Sequence, residues 1–253
     1  MVEVFFWPAL LAYGEAALAY ASPRFTRVAT WGVRLGWLAQ TALLAVQAAR
    51  SNGFPWASWA GSLNLFVWLV VGAYLIWGCR PRYRLLGLAV MPLAVALFVA
   101  ARVGGGTSVG EQPHYGNLFL VLHVGLVLAA FAGFTLAAAL SALYLWEERR
   151  LKGRAADILR LRLPSLVVLE RLTARTVLVS LPLLTLGLVA GFIRLAQKGG
   201  GGDAAMAVAV LAWAVYAGFL AARPVGRRAA YLALVGFALV IFVRLVLAGG
   251  HFA

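Results

Sequence analysis

Apolar residues along this chain gather into eight runs, at about 4–21, 31–49, 61–78, 85–102, 117–146, 174–196, 204–222 and 228–248. A helix needs roughly 20 apolar residues to cross a hydrocarbon core of about 30 Å, and each run reaches or approaches that length. The breaks between them carry turn chemistry: Ser22-Pro23, Asn52-Gly53-Phe54-Pro55, Arg80-Pro81-Arg82, Gly104-Gly105-Gly106, the glycines from Gly199 to Gly202, and Arg223-Pro224. The pattern predicts an all-α, polytopic integral membrane helical bundle with eight transmembrane helices. All of it reads as a single membrane domain, 1-253, with four spans in 1-103 and four more in 115-253.

Composition agrees and charge adds an orientation. At 64% hydrophobic residues the chain has too little polar side chain to cover a soluble globule. The net charge of +14 would suggest nucleic acid for a soluble protein, but here the arginines cluster in the joints between apolar runs, so no nucleic acid partner is expected. Lys and Arg concentrate on the cytoplasmic side of membrane proteins. Alternate joints collect Arg24, Arg27 and Arg34, then Arg80, Arg82 and Arg84, then the basic residues from Arg149 to Arg175, then Arg223, Arg227 and Arg228. Only Arg50, Arg102, Arg194, Lys198 and Arg244 of the 22 basic residues fall toward the other side. Both termini are therefore expected to be extracytoplasmic. The first run is long, has no basic stretch before it and begins near Glu3, so it reads as a span and not a removable signal.

The longest cytoplasmic segment, 147–173, has an apolar face of leucines and valines and a polar one of Arg160, Arg162, Glu170 and Arg171. It reads as an interfacial helix beginning near Pro164, its arginines meeting membrane lipid or a cytoplasmic partner. Glu15 and Arg34, at comparable depth in the first two spans, are expected to form a salt bridge. Gln40, Gln47 and Asn64 read as interhelical hydrogen bonds. Trp7, Trp56, Trp59, Tyr144 and Trp146 fit an interfacial belt. The single Cys79 excludes an internal disulfide or a cysteine-based metal cluster.

Candidate chemistry narrows to histidine. His123 is the ionisable residue inside the apolar run that follows Pro113, and such residues are usually turned inward and partnered. With the orientation above, His114, His123 and His251 all lie toward the outer face. His114 reads as a loop residue or a third ligand. His123 alone could be an interhelical hydrogen bond. Together with His251 it supports a stronger reading, because two imidazoles on opposite sides of a flat cofactor make a six-coordinate heme iron. Arg244 and Arg102, on the outer halves of their spans, are candidates to pair with the heme propionates. There is no zinc spacing, no H-E-x-x-H, no phosphate-cradling loop and no paired carboxylate in the outer half. No enzyme is expected; a carrier, chaperone or regulator is, or a structural subunit with buried histidines.

Several stretches also carry a resemblance. They are Leu122-His123-Val124, Leu143 to Glu148 with the basic run after it, Arg162-Leu163-Pro164-Ser165-Leu166, and Leu169-Glu170-Arg171-Leu172. Leu186 to Gly191, Trp213 to Leu220, Gly226 to Leu232 with Gly236-Phe237, and Gly250-His251-Phe252 continue it. Over roughly 115–253 the sequence resembles the cytochrome c assembly family, in its HemX-like branch, related to the CcsA and CcmC heme-handling proteins. The first four spans match in hydropathy only. The resemblance implies a multi-pass protein of a bacterial plasma membrane that binds heme b through His123 and His251 for heme transport or chaperoning. The alternative it implies is a membrane regulator of tetrapyrrole synthesis acting through protein interaction. The partners implied are heme, membrane lipid, and a cytochrome c assembly component or a tetrapyrrole-synthesis enzyme. One departure bears on delivery: the family's tryptophan-rich outer loop is here Gln197-Lys198-Gly199-Gly200-Gly201-Gly202-Asp203, without tryptophan.

Overall fold

The computed structural model describes residues 2–51, 54–56, 58–77, 79, 84–109, 118–152, 165–198 and 204–242. Eight α-helices cover most of them: α1 (Val2–Ala19), α2 (Thr26–Arg50), α3 (Trp59–Trp77), α4 (Arg84–Val103), α5 (Leu118–Lys152), α6 (Leu166–Lys198), α7 (Ala204–Ala222) and α8 (Arg227–Phe242). A 3-10 turn at Pro23–Phe25 joins α1 to α2, and no strand occurs among the described residues. A chain with little access to water satisfies its backbone amides and carbonyls within each segment, which is why apolar runs become helices. Among the described residues, four segments are long and apolar enough to cross a membrane: Trp59–Ile76, Leu85–Val103, Val121–Lys152 and Leu166–Gln197. Met206–Ala222 is a shorter apolar helix. This is an all-α membrane protein.

Two helices outrun their apolar segments. The fifth continues past Trp146 to Lys152, 35 residues in all. The sixth begins at Leu166 and runs 33 residues to Lys198, so the described part of the expected interfacial segment is not a separate helix but the two ends of α5 and α6. Nothing between Leu166 and Arg175 interrupts a helix, and the Ser165 carbonyl accepts the Val168 and Leu169 amides that open it. At about 1.5 Å per residue each helix is roughly 50 Å long, well beyond a hydrocarbon core. Residues 153–164 of that segment lie outside the described residues.

The chain divides into two compact units, residues 1–121 and 122–251. In the first, α1 buries Phe6, Ala9, Tyr13, Ala16 and Tyr20, a three-four spacing that forms one helical face. That face meets α2 at Gly32 and Gly36; a methyl on Gly36 would stand 2.5 Å from the Tyr13 ring. Behind it runs a buried polar chain. The Tyr13 hydroxyl donates to Gln40 Oε1 at 2.8 Å, and Gln40 Nε2 donates to Asn64 Oδ1 at 2.9 Å. Asn64 Nδ2 donates to Gln47 Oε1 at 3.0 Å, and Gln47 Nε2 to the Gly106 and Ser108 carbonyls at 3.1 Å each. The three amides expected as interhelical hydrogen bonds therefore tie α1, α2, α3 and the turn after α4 together.

The expected Glu15–Arg34 salt bridge is absent among the described residues: both side chains are exposed, and the Arg34 guanidinium lies 5.0 Å above the Trp31 ring. Similar depth in neighbouring helices leaves rotation open, and Glu15, one residue before buried Ala16, stands outside the face that packs on α2.

In the second unit α5 is the core. Phe131, Phe134, Leu136, Leu140, Tyr144 and Leu145, spread around its circumference, are all buried. Tyr216 of α7 lies flat on Phe134, and its hydroxyl donates to the Ala233 carbonyl of α8 at 3.1 Å. The other helix pair is closed by Trp213, whose Nε1 donates to Thr185 Oγ1 of α6 at 2.8 Å. At one end of this unit Glu148 binds Arg227 at 2.7 Å and Lys152 at 2.9 Å.

Candidate functional site

Helices α5 and α6 run antiparallel: contacts at residues 133, 127 and 123 of α5 are matched by residues 180, 187 and 191 of α6. Close approach along this seam depends on glycine. Ser180 sits where a Cβ on Gly133 would be, and a Cβ on Gly187 would meet Val127 Cγ2 at 2.8 Å and the Val127 amide nitrogen at 3.2 Å. Gly187 and Gly191, four residues apart, share one face of α6, the small-xxx-small spacing that lets membrane helices pack backbone to backbone.

His123, half-buried in the second turn of α5, lies in that seam. Its Nδ1 is 2.7 Å from the Gly187 carbonyl oxygen. A carbonyl only accepts, so in the neutral ring Nδ1 carries the proton and Nε2 the lone pair. The ring also rests on Gly191, where a Cβ would stand 2.7 Å from Nδ1 and 2.8 Å from Cε1. An imidazole held this way is a nitrogen ligand of fixed tautomer, since ligating histidines commonly give their other ring N–H to a carbonyl.

Arg102 closes α4 in the first unit. Its guanidinium is ion-paired with Glu3 of α1 and lies 5.5 Å above the Phe6 ring, so the charge expected to meet a propionate is engaged by a carboxylate of the chain itself. His251, Arg244 and His114 lie outside the described residues, as do Gly199 to Asp203 of the outer loop. His123 and Arg102 are thus the two expected site residues that the structure places. Among the described residues no group of three or more His, Cys, Asp or Glu could hold a metal ion. Cys79 is half-buried, and burial pushes its thiol up from the ordinary value, against a role as nucleophile.

Side-chain reasoning missed the seat of His123 because its partner is a backbone carbonyl. The signal that could have found it is the Gly187–Gly191 pair.

Known proteins bear on the same helices. The family described as Cytochrome C assembly protein matches residues 56–249, which contain His123, Gly187, Gly191, Arg102 and Arg244; His251 falls just beyond. That match takes in α3 and α4 as well, so the relationship reaches further toward the N-terminus than the motifs after residue 115. The chain is similar to "Protein HemX" of Brevibacillus brevis, 29% identical over 163 residues, which are 62% of this chain and 58% of that protein. It is also similar to "Cytochrome c biogenesis protein CcsA" of Guillardia theta, 24% identical over 226 residues, 79% of this chain and 75% of the relative. The CcsA of Microcystis aeruginosa is 24% identical over 286 residues, 91% and 87% of the two chains. With a family match across more than half its length, on a helical membrane scaffold, this chain belongs to the cytochrome c assembly protein family.

Proposed function

We propose that this protein binds heme b between His123 and His251 near the outer membrane face and serves heme transport or chaperoning, with no catalytic step of its own. The proposal includes eight transmembrane helices, both termini extracytoplasmic, in a bacterial plasma membrane. The observation that carries it is the Nδ1 bond from His123 to the Gly187 carbonyl at 2.7 Å, which sets the lone pair on Nε2. That donor chemistry fits an axial heme ligand. Bound heme would supply an iron with two axial positions and two propionates. His123 and His251 would hold the iron; Arg244 and Arg102 would hold the propionates, Arg102 by exchanging Glu3 for one of them.

An absorption spectrum of protein purified in mild detergent after growth with ample heme tests the reading. A low-spin bis-histidine spectrum, lost in His123→Ala and in His251→Ala, supports it. Unchanged heme content in both variants rules the ligand pair out.

A second reading is a membrane regulator of tetrapyrrole synthesis. Two observations favour it: similarity to a protein named HemX, and exposed Arg149, Arg150, Arg171 and Arg175 where α5 ends and α6 begins. Replacing these arginines with glutamine should then abolish a cytoplasmic interaction while leaving any heme spectrum intact.

A further inference from the structure

Resting on the heme reading above, we propose that Gly191 and Gly187 are positioning residues for His123: they form a seat that fixes the ring's tautomer and makes Nε2 the atom that binds iron. The two glycines do different things. At Gly187 an added Cβ would press on Val127, including its backbone nitrogen at 3.2 Å, so this glycine keeps α6 close enough for its carbonyl to reach the ring. At Gly191 the added atom would fall 2.7 Å from Nδ1, 2.8 Å from Cε1 and 3.5 Å from Cγ. Contacts under 3.0 Å do not persist, so the imidazole would have to turn. The atom pressed hardest is the one that makes the 2.7 Å bond to Gly187.

The consequence goes beyond packing. A histidine that served only as glue between α5 and α6 could keep a hydrogen bond with either ring nitrogen. An axial ligand needs one nitrogen protonated and held and the other presented to the metal, and loss of such an outer partner typically weakens metal binding roughly 10- to 100-fold. The carbonyl also makes the imidazole a stronger electron donor, so its loss moves the reduction potential of bound heme upward.

The test uses the full chain in detergent, with Gly191→Ala, His123→Ala and Gly125→Ala. Gly125 lies on the same helix as His123, and a Cβ there meets nothing within 4 Å, so it controls for the added methyl. Hemin titration and a redox titration should give Gly191→Ala roughly 10- to 100-fold weaker binding and a more positive potential, with Gly125→Ala like the parent. If His123→Ala loses heme and Gly191→Ala matches the parent in affinity and potential, the seat is wrong while the ligand stands. If His123→Ala keeps heme, the ligand reading fails, and the seat is decided on the apoprotein. There, long-range 1H–15N spectra of 15N-histidine-labelled protein, taken well above the ordinary histidine pKa, report the tautomer, with His123 assigned by its loss in His123→Ala. The seat requires Nδ1–H in the parent and a mixed or reversed tautomer in Gly191→Ala. An Nε2–H parent overturns it, and this holds even if Gly191→Ala does not fold.

Discussion

Tyr13 and Gln40, 27 residues apart in sequence, are joined by a buried hydrogen bond of 2.8 Å at the centre of the first unit. Gln40 also serves Asn64, so one side chain holds three helices. Gln40→Leu would strip a partner from both the Tyr13 hydroxyl and the Asn64 amide. A buried polar group left unsatisfied costs about 1–3 kcal/mol, whereas the pairwise coupling of an interhelical hydrogen bond in a membrane protein averages about 0.6 kcal/mol in double-mutant cycles. Gln40→Leu is therefore expected to destabilise by about 1–3 kcal/mol, and adding Tyr13→Phe should recover part of it. A double-mutant cycle of unfolding in mixed micelles checks this. A coupling energy near zero would mean that water replaces Gln40.

Tyr216 joins three helices in the second unit, stacked at 3.7 Å on Phe134 and seated on Gly236, where a Cβ would come within 2.6 Å of the ring. Tyr216→Phe keeps the stack and loses the bond to Ala233, for about 0.5–1.5 kcal/mol. Tyr216→Ala opens a cavity as well, for about 3–5 kcal/mol. Thermal unfolding in detergent should rank the variants in that order; equal losses would place the energy in the hydroxyl and not in the ring.

These cores explain what could be read from the sequence. Apolar runs became helices because an apolar chain must close its hydrogen bonds locally, and the three polar side chains Gln40, Gln47 and Asn64 then found partners inside the bundle, in one another, in Tyr13 and in the turn after α4. Helix ends were less legible: α5 and α6 continue through charged residues because Trp146 to Lys152 and Leu166 to Arg175 contain no breaker, and hydropathy does not register a helix once it becomes polar. The Glu15–Arg34 pairing failed on rotation. Residues 6, 9, 13, 16 and 20 already defined the inward face of α1, and Glu15 is not on it. For His123, the sequence displayed the imidazole and the two glycines, but a backbone carbonyl partner has no side-chain signature.

Arg102 offers a test of competition. Its pair with Glu3 is exposed, and exposed ion pairs contribute about 0–1 kcal/mol, so losing it should hardly change stability. If Arg102 exchanges Glu3 for a propionate, Glu3→Gln should slow hemin dissociation and Arg102→Ala should speed it. Hemin off-rates measured by transfer to an acceptor globin decide this. Unchanged rates in both variants would leave Arg102 only the task of fastening α4 to α1.

Orientation is open to a direct chemical test because the chain has one cysteine. In a Cys79→Ala background, Ser108→Cys reports the turn after α4 and Val225→Cys the loop between α7 and α8; both positions are exposed. The proposed orientation has Arg223, Arg227 and Arg228 on the cytoplasmic side; if it holds, Val225→Cys should resist a membrane-impermeant maleimide in intact spheroplasts and react after permeabilisation. Ser108→Cys should react at once. That outcome puts an odd number of crossings between the loop after α4 and the loop between α7 and α8, as α5, α6 and α7 would supply, and leaves His123, near the start of α5, toward the outer face. The reverse labelling would move His123 toward the cytoplasm and overturn the proposed heme site near the outer face.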